Sequence, residues 1–296
     1  MPRSGPADRD VSSQAPAQAS PSVAPAVGRV RGYFDLYLTE IRIAIVEQFQ
    51  YRVANYFYMI GMVAEPVIYL VVWSTIATQQ GGEVGGFTPG QFAAYYIVWT
   101  LVRNMNIIFT PYGWEERVRQ GELTGMLLRP IHPIHWDLGY FAGWKFVVIV
   151  MWLPIAAVLS VLFQPTLSFR PIDVAVFAVA IWGAYLIRSV NYWALGMVTF
   201  WTTRVGPIFE LVFTAELLLS GRLVPLSLMP DWAQRLADVL PFKWTFGFPI
   251  EALVGNLPES QLLGGLAMQA LWIAIGSIGV AVIWRFAIRR YSAVGN

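Results

Sequence analysis

Six apolar segments constrain what this chain can fold into more than any other feature of its sequence. By our boundaries they cover residues 54–76, 92–110, 138–163, 174–201, 205–220 and 262–287. A spanning helix needs about 20 mostly apolar residues, and in lipid only helices and closed barrels satisfy their own backbone hydrogen bonds. Charged residues make up only 13% of the chain, against roughly a quarter in soluble domains. The sequence therefore predicts an all-α integral membrane protein with six transmembrane helices in a lipid bilayer.

The first 28 residues differ in composition from the rest of the chain. They are rich in Pro, Ala and Ser and contain no continuous apolar stretch, which a cleaved signal peptide requires. Such a composition is typical of a disordered tail. We therefore expect a disordered cytosolic tail over residues 1–28 and a single transmembrane domain over residues 29–296.

The distribution of Lys and Arg predicts the orientation of the chain. With the N-terminus inside, thirteen of the 20 Lys and Arg residues fall in inside segments, and four fall in outside segments. Basic residues concentrate on the cytoplasmic side of membrane proteins. Both termini are therefore expected in the cytosol.

The segment before the first span has the pattern of an amphipathic helix. Within residues 33–52, apolar side chains recur at helical spacing and charged residues lie off their stripe. This pattern favours a helix in the membrane surface, and the alternative is a cytosolic extension of the first span. The stripe consists of Phe34, Leu38, Ile41, Ile45 and Phe49.

Four of the five prolines in residues 221–261 divide the segment before the last span into pieces that are too short to cross a bilayer. They stand at positions 225, 230, 241 and 249 within residues 221–261, and many residues between them are apolar. We expect short re-entrant helices that dip into the outer leaflet, where irregular backbone needs cover from protein or a cavity. The alternative is a plain surface cap.

The sequence lacks the motifs of several kinds of enzyme. Its two lysines, Lys145 and Lys243, do not follow a glycine-rich phosphate-binding turn, and no nucleophile elbow or paired-histidine zinc motif occurs. It contains no cysteine, and its only histidines, His132 and His135, flank Pro133 and lack a third ligand. We therefore expect no catalytic site, no metal, no cofactor and no nucleic-acid partner for this chain.

Six charged residues fall inside the predicted spans, apart from Arg285, which lies in the final turn of the last span and is counted with the inside segments; charge within a span is costly and is usually functional. An ion pair between helices is at least as good an interpretation as substrate contact for each of them. Glu210 and Glu216 in particular could pair with Arg188 on a neighbouring helix. The six residues are Glu65, Arg103, Lys145, Arg188, Glu210 and Glu216.

Two segments of the sequence, together with the order of the predicted helices, resemble those of a known family. The first is Gln120-Gly-Glu-Leu-Thr-Gly-Met-Leu-Leu-Arg-Pro130, after the second span. The second is Leu240-Pro-Phe242 followed by Phe248-Pro-Ile-Glu-Ala-Leu-Val-Gly255, before the last span. Over residues 30–291 the chain resembles the transmembrane permease subunit of ABC-2 type ABC transporters.

The resemblance implies that a short cytosolic coupling helix, about Pro111–Gly121, docks a separate ATP-binding subunit that carries ATP and Mg. Gly121 would let the chain turn back toward the membrane, and Trp114 beside the charges fits a contact surface. The alternative is a solvated loop. The predicted contact residues are Trp114, Glu115, Glu116, Arg117, Arg119, Gly121 and Glu122.

The resemblance also implies a pair of permeases, either a homodimer or a heterodimer, in a prokaryotic plasma membrane. Such a pair would export a substrate along its seam, driven by ATP hydrolysis on the partner subunit, and nothing in the sequence indicates which substrate. The candidate residues for this path are Glu65, Asn104, Asn106, Asn191 and Glu210.

Two other classes of protein remain as alternatives. A self-contained secondary transporter or channel usually has an internal repeat, and residues 53–163 show no convincing similarity to residues 174–287. An intramembrane enzyme would need Asp, His or Glu clustered at one depth, and the chain has only two histidines.

Overall fold

The computed structural model describes residues 26–202, 204–255 and 257–291, and within this part of the chain the regular structure is helical. Residues 1–25, most of the predicted tail, lie outside the described residues, and residues 26–28 begin the first helix. The described residues from Leu36 onward form one compact unit. The helices are α1 (Ala26–Gln50), α2 (Arg52–Gln79), α3 (Pro89–Met105), α4 (Pro111–Arg119), α5 (Glu122–Leu127), α6 (Ile134–Phe163), α7 (Pro171–Gly196), α8 (Gly206–Leu219), α9 (Asp231–Val239), α10 (Phe242–Thr245), α11 (Gly247–Val254) and α12 (Glu259–Ala287).

Four helices of the described chain are long and apolar enough to cross a membrane. They are α2, α6, α12, and α7 with the 3₁₀ turn that extends it to Phe200. Helix α3 has 17 residues and α8 has 14, so they are about 26 Å and 21 Å long at 1.5 Å per residue, against a hydrocarbon core of about 30 Å. The all-helical membrane class is confirmed, while the prediction of six full-length spans is not.

Helix α3 is the central element of the fold. Thirteen of its 17 residues are buried, on all sides of the helix. It packs between α2, α6 and α11, and its aromatic residues Phe92, Tyr95 and Trp99 are completely enclosed. This burial explains why its sequence is apolar all round rather than on one stripe.

The chain bends between α1 and α2. Only Tyr51 separates the two helices, and backbone hydrogen bonds continue from Glu47 through Tyr51 to Asn55. However, Ile45 and Met59 belong to the same apolar cluster, around Val147 and Met151 of α6. A straight helix would hold residues fourteen positions apart about 21 Å from each other. Helix α1 is therefore a separate element rather than a straight extension of α2.

The proline-rich segment after α8 forms short helices, as its sequence predicts. Pro230 and Pro241 immediately precede α9 and α10. Helices α10 and α11 are mostly buried, from Trp244 to Ile250, and pack against α7, whereas Trp232 on α9 is 64% exposed. Gly221, with a φ of 83°, makes the sharp turn out of α8.

Candidate functional site

The polar stretch between α3 and α6 folds into two short helices, α4 and α5. The side chain of Thr110 caps α4 by accepting a hydrogen bond from the backbone N–H of Gly113 at 3.4 Å, and Pro111 stands in the first turn, where no backbone donor is needed. After Arg119, Gly121 has a φ of 75°, a left-handed conformation that side chains disfavour. Gly121 is therefore the turn between the two helices.

Trp114 anchors α4 to α7. Its side chain is completely buried, and its ring meets that of Trp193 edge to face at 4.5 Å. Phe200 and Trp284 complete this group, which we call the aromatic cluster. Gly196 leaves the space for it, because a Cβ there would lie 2.2 Å from Trp114 Cδ1. The predicted contact residue Trp114 is thus enclosed by its own chain.

Arg117 also faces inward. Its guanidinium group donates two parallel hydrogen bonds, both 3.0 Å long, to the carboxylate of Asp137 at the start of α6. The two side chains are only 11% and 12% exposed. Trp193 Nε1 donates to the same carboxylate at 2.8 Å, and the ring of Phe109 lies 4.0 Å under the guanidinium. This paired geometry joins α4 to α6 and α7.

Two further side chains tie α4 to α8. Glu115 accepts a hydrogen bond of 3.1 Å from the backbone N–H of Val205, at the N-terminus of α8, where a negative charge is favourable. The hydroxyl of Tyr112 donates to Glu210 at 2.5 Å. Helix α4 is therefore held by α6, α7 and α8 at once.

Within the part of the chain that the structure describes, the opposite face of α4 and α5 makes no such contacts. Glu116, Arg119 and Glu122 are exposed, and Glu116 accepts a hydrogen bond from its neighbour Gln120 at 2.7 Å. Leu128, just after α5, is 84% exposed. We call Glu116, Arg119, Glu122 and Leu128 the outer face of α4–α5. Of the seven predicted contact residues, the structure brings three to this face.

Glu65, in the middle of α2, is the centre of an ion network. Arg103 donates a short hydrogen bond to its carboxylate, and Arg222 donates to both carboxylate oxygens at 3.2 Å. Tyr69 adds a bond of 3.3 Å. Arg222 lies in an outside segment by the predicted boundaries of the spans, but its side chain is buried against the middle of a spanning helix. The segment after α8 therefore reaches deep into the protein.

A second ion pair confirms the predicted pairing of Arg188 with a carboxylate of α8, and it involves Glu216 rather than Glu210. Arg188 of α7 pairs with Glu216 of α8 through a short hydrogen bond, and Tyr192 donates to the same carboxylate. The predicted partner Glu210 does not join them, because it is exposed and bonded to Tyr112. Of the two carboxylates, Glu216 thus forms the ion pair that joins α7 to α8.

The three candidate asparagines have different environments. Asn104 and Asn106 are buried, and their amide nitrogens donate to the carbonyls of Thr100 and Thr245 at 2.7 Å. Asn191 is half-buried and donates to the carbonyl of Ile187 at 2.8 Å.

Two cavities meet at Arg188 and Tyr192. The first, which we call the polar cavity, has a volume of about 240 Å³ and is lined in part by Arg103, Asn106, Arg188, Arg222 and Phe213. The second, which we call the apolar cavity, has a volume of about 360 Å³ and is lined in part by Ile187, Arg188, Asn191, Leu195, Val212 and Glu216. The candidate Asn104 lines neither of them. The polar cavity is lined by residues of α2, α3, α7 and α8, and the apolar cavity by residues of α7, α8, α10 and α12.

His132 belongs to the packing around the aromatic cluster, whereas His135 contacts Tyr37. The ring of His132 lies 4.5 Å from that of Trp284 and 5.2 Å from that of Trp193. Burial lowers the pKa of His132 to about 4, so the ring is neutral at pH 7. Among the described residues no group of three His, Cys, Asp or Glu side chains could hold a metal ion.

The sequence analysis missed three residues that the structure brings into these sites. Asp137 pairs with Arg117, Tyr112 with Glu210, and Arg222 with Glu65. The last two partnerships join residues 98 and 157 positions apart in the chain. Arg222 carried one signal, as a lone charge in the otherwise apolar run after α8.

Comparison with protein-family models matches residues 63–295 to the model described as ABC-2 family transporter protein. The matched residues include α4, α5 and, apart from Met62, the residues that line both cavities. Comparison with the curated proteins gives no match.

Proposed function

This chain belongs to the ABC-2 family of transporter proteins, and from that premise we propose that it is the permease subunit of an ABC exporter, driven by ATP that a separate subunit hydrolyses. The family and the long apolar helices make it a multi-pass membrane protein and a transport component. The observation that carries the proposal is α4, which is anchored to the membrane helices on one face and bears exposed charges on the other.

We place the contact with the ATP-binding subunit on the outer face of α4–α5. Glu116, Arg119 and Glu122 offer both signs of charge on two short helices, and Leu128 adds an exposed apolar side chain. Charged groups that stay accessible give a docking surface specificity and register. Trp114, Glu115 and Arg117 hold α4 in place instead, because their side chains already have partners within the chain.

The anchors of α4 support a route by which a partner's movement would reach the cavities. Trp114 packs against Trp193 of α7, and Arg188 stands five residues earlier on the same helix. Closure of two ATP-binding subunits would push α4, tilt α7 and reshape the space beside Arg188. Rigid packed elements of this kind carry coupling between distant sites. Two permease halves, alike or unlike, would then rock about their seam in alternating access.

Of the five path candidates, the structure supports Asn106, Asn191 and Glu65. Asn106 lines the polar cavity and Asn191 the apolar cavity, and Glu65 bonds to arginines of the polar cavity. We also propose that α3 and α8 complete six membrane passes, with both termini in the cytosol of a prokaryotic cell.

The test is purification of the tagged chain from its native membrane in mild detergent, with mass spectrometry of the proteins that accompany it. The test variant carries Glu116→Ala, Arg119→Ala and Glu122→Ala. A matched control removes two exposed Glu and one exposed Arg on the other side of the molecule, with Glu83→Ala, Glu259→Ala and Arg235→Ala.

We expect an ATP-binding subunit to accompany the wild type and the control, and to be lost from the test variant. A second permease sequence in the same eluate would identify a heterodimer. Purification of the chain alone from all three preparations would overturn the proposal and favour a self-contained transporter. Retention of the ATPase by the test variant would place its docking site elsewhere.

A further inference from the structure

We propose that the polar cavity binds the anionic head of an amphipathic substrate, a phosphate or carboxylate, while its apolar part occupies the adjacent apolar cavity. The role of this ligand as a transported substrate rests on the proposed function, whereas the binding site itself follows from charge, hydrogen bonding and volume.

The charges around the polar cavity do not balance. Arg103, Arg188 and Arg222 line it, and the carboxylates paired with them are Glu65 and Glu216. Within the described chain, no other ion pair involves these groups, so one positive charge is left over. A charge buried among membrane helices is costly unless it is paired. A bound anion would supply the missing partner.

The hydrogen bonds are also incomplete. The Nε–H groups of Arg188 and Arg222 are buried and have no acceptor among the described residues. Arg222 as a whole is only 7% exposed. A buried donor without an acceptor is unfavourable, and more so when it is charged. Both arginines line the polar cavity, and an oxyanion there would bring several acceptor oxygens to their guanidinium groups.

Aromatic rings orient these guanidinium groups but do not neutralise them. Arg222 lies 5.3 Å from the ring of Phe213 and 5.6 Å from that of Trp99, and Arg188 lies 4.7 Å from Tyr192. Stacking of this kind fixes the plane of a guanidinium group while its full charge remains available. The arginines are thus held in place before an anion arrives.

The volumes suit a ligand with two parts. The polar cavity of about 240 Å³ is several times the roughly 30 Å³ that one water molecule occupies in the liquid, so it has room for a phosphate or carboxylate head. The apolar cavity is larger, at about 360 Å³, and shares Arg188 and Tyr192 with it. Arg188 therefore stands where head and tail would join. Asn106 also lines the polar cavity.

The test measures binding to the full chain, purified in the neutral detergent dodecyl maltoside, by isothermal titration calorimetry. Three probes separate head from tail: dioctanoyl phosphatidate, dioctanoylglycerol with the same tails and no anion, and inorganic phosphate. Binding needs no ATP-binding subunit, so failure of the proposed function and failure of this site give different results.

Arg222→Gln removes the surplus charge and leaves Glu65 paired with Arg103, and Arg222→Lys keeps the charge. Asn106→Asp instead adds a carboxylate to the cavity. The matched control, Arg235→Gln, makes the same chemical change at an exposed position on α9. Elution as a single peak and unchanged circular dichroism would show that each variant is folded.

We expect phosphatidate to bind and dioctanoylglycerol not to. Arg222→Gln and Asn106→Asp should each weaken phosphatidate binding by about tenfold or more, the value of a hydrogen bond to a charged group, with Arg222→Lys between them and the wild type. The control should bind as the wild type does. Phosphate binding as tight as phosphatidate binding would overturn the amphipathic ligand in favour of a free anion, and equal binding of both lipids, or no effect of Arg222→Gln, would overturn the anion site.

Discussion

Arg117 and Arg119 stand two residues apart on α4, and the structure predicts opposite consequences for their loss. Arg117→Ala would leave the Asp137 carboxylate, 12% exposed, with only Trp193 as a donor among the described residues. Removal of one partner of a buried ion pair costs about 3–5 kcal/mol. Arg119 is exposed, and substitutions at such positions usually change the free energy of unfolding by about 0.5 kcal/mol or less.

The free energy of unfolding can be measured by titrating the detergent-solubilised protein with sodium dodecyl sulfate. A double-mutant cycle isolates the pair: Arg117→Ala, Asp137→Asn and the combination of both. We expect each single substitution to lower the free energy of unfolding. The double variant should lose about 2 kcal/mol less than the sum of the two single losses, because it removes both charges and leaves neither of them buried without a partner. Arg119→Ala is the matched control on the same helix.

Co-purification with the ATP-binding subunit completes the comparison. Arg119→Ala should weaken that association at wild-type stability, while Arg117→Ala should weaken it only together with stability. Equal and small stability losses for both arginines would refute the reasoning, since they would mean that Arg117 does not hold α4 in place. Additive losses for Arg117 and Asp137 would refute the pairing itself.

Three further predictions follow from other parts of the structure. Gly196→Ala should destabilise the protein by about 1–3 kcal/mol, because the new Cβ would overlap Trp114; full stability in the same titration would contradict this packing. Burial raises the pKa of Glu251 to about 7 from its usual 4.5. Protonation of this carboxyl therefore favours the folded state, and the free energy of unfolding should fall as the pH rises through 7. Melting curves between about pH 5 and 8 should show this fall for the wild type, and Glu251→Gln should make the melting temperature nearly independent of pH over that range. The chain lacks cysteine, so Glu116→Cys and Trp232→Cys can be labelled singly with a membrane-impermeant maleimide; in intact cells only the second should react, and the reverse pattern would invert the proposed orientation.

Much of the fold could be predicted because lipid leaves few options. Apolar length marks α2, α6, α7 and α12, and the prolines at 230 and 241 mark the starts of α9 and α10. The predictions were weaker where helix length depends on neighbours. Helix α3 ends at Met105 rather than at residue 110, since Asn106 leaves the helix and bonds to the carbonyl of Thr245.

The candidate sites were predicted less well, because the roles of their residues depend on direction and on distant partners. The sequence shows that Trp114 and Arg117 lie on one charged helix, but which face that helix turns inward depends on Gly196 and Asp137, which lie on two other helices. Arg188 and Glu216 were predictable as a pair because both are charges within spans. The cavities were not, since a cavity is a property of the packed helices and not of any segment.

The close fit of Trp114 over Gly196 limits which substitutions evolution and protein engineering can make at these two positions. A family member with a larger residue at position 196 must carry a smaller one at position 114, so these two positions should vary together over evolution. The same constraint limits chimeras. Residues 111–128 could be replaced by those of a relative in order to recruit that relative's ATPase. Such a replacement should succeed only when the new segment keeps a tryptophan at position 114, or when the corresponding part of α7 is exchanged with it. The outer-face residues Glu116, Arg119 and Glu122, in contrast, should be exchangeable by themselves.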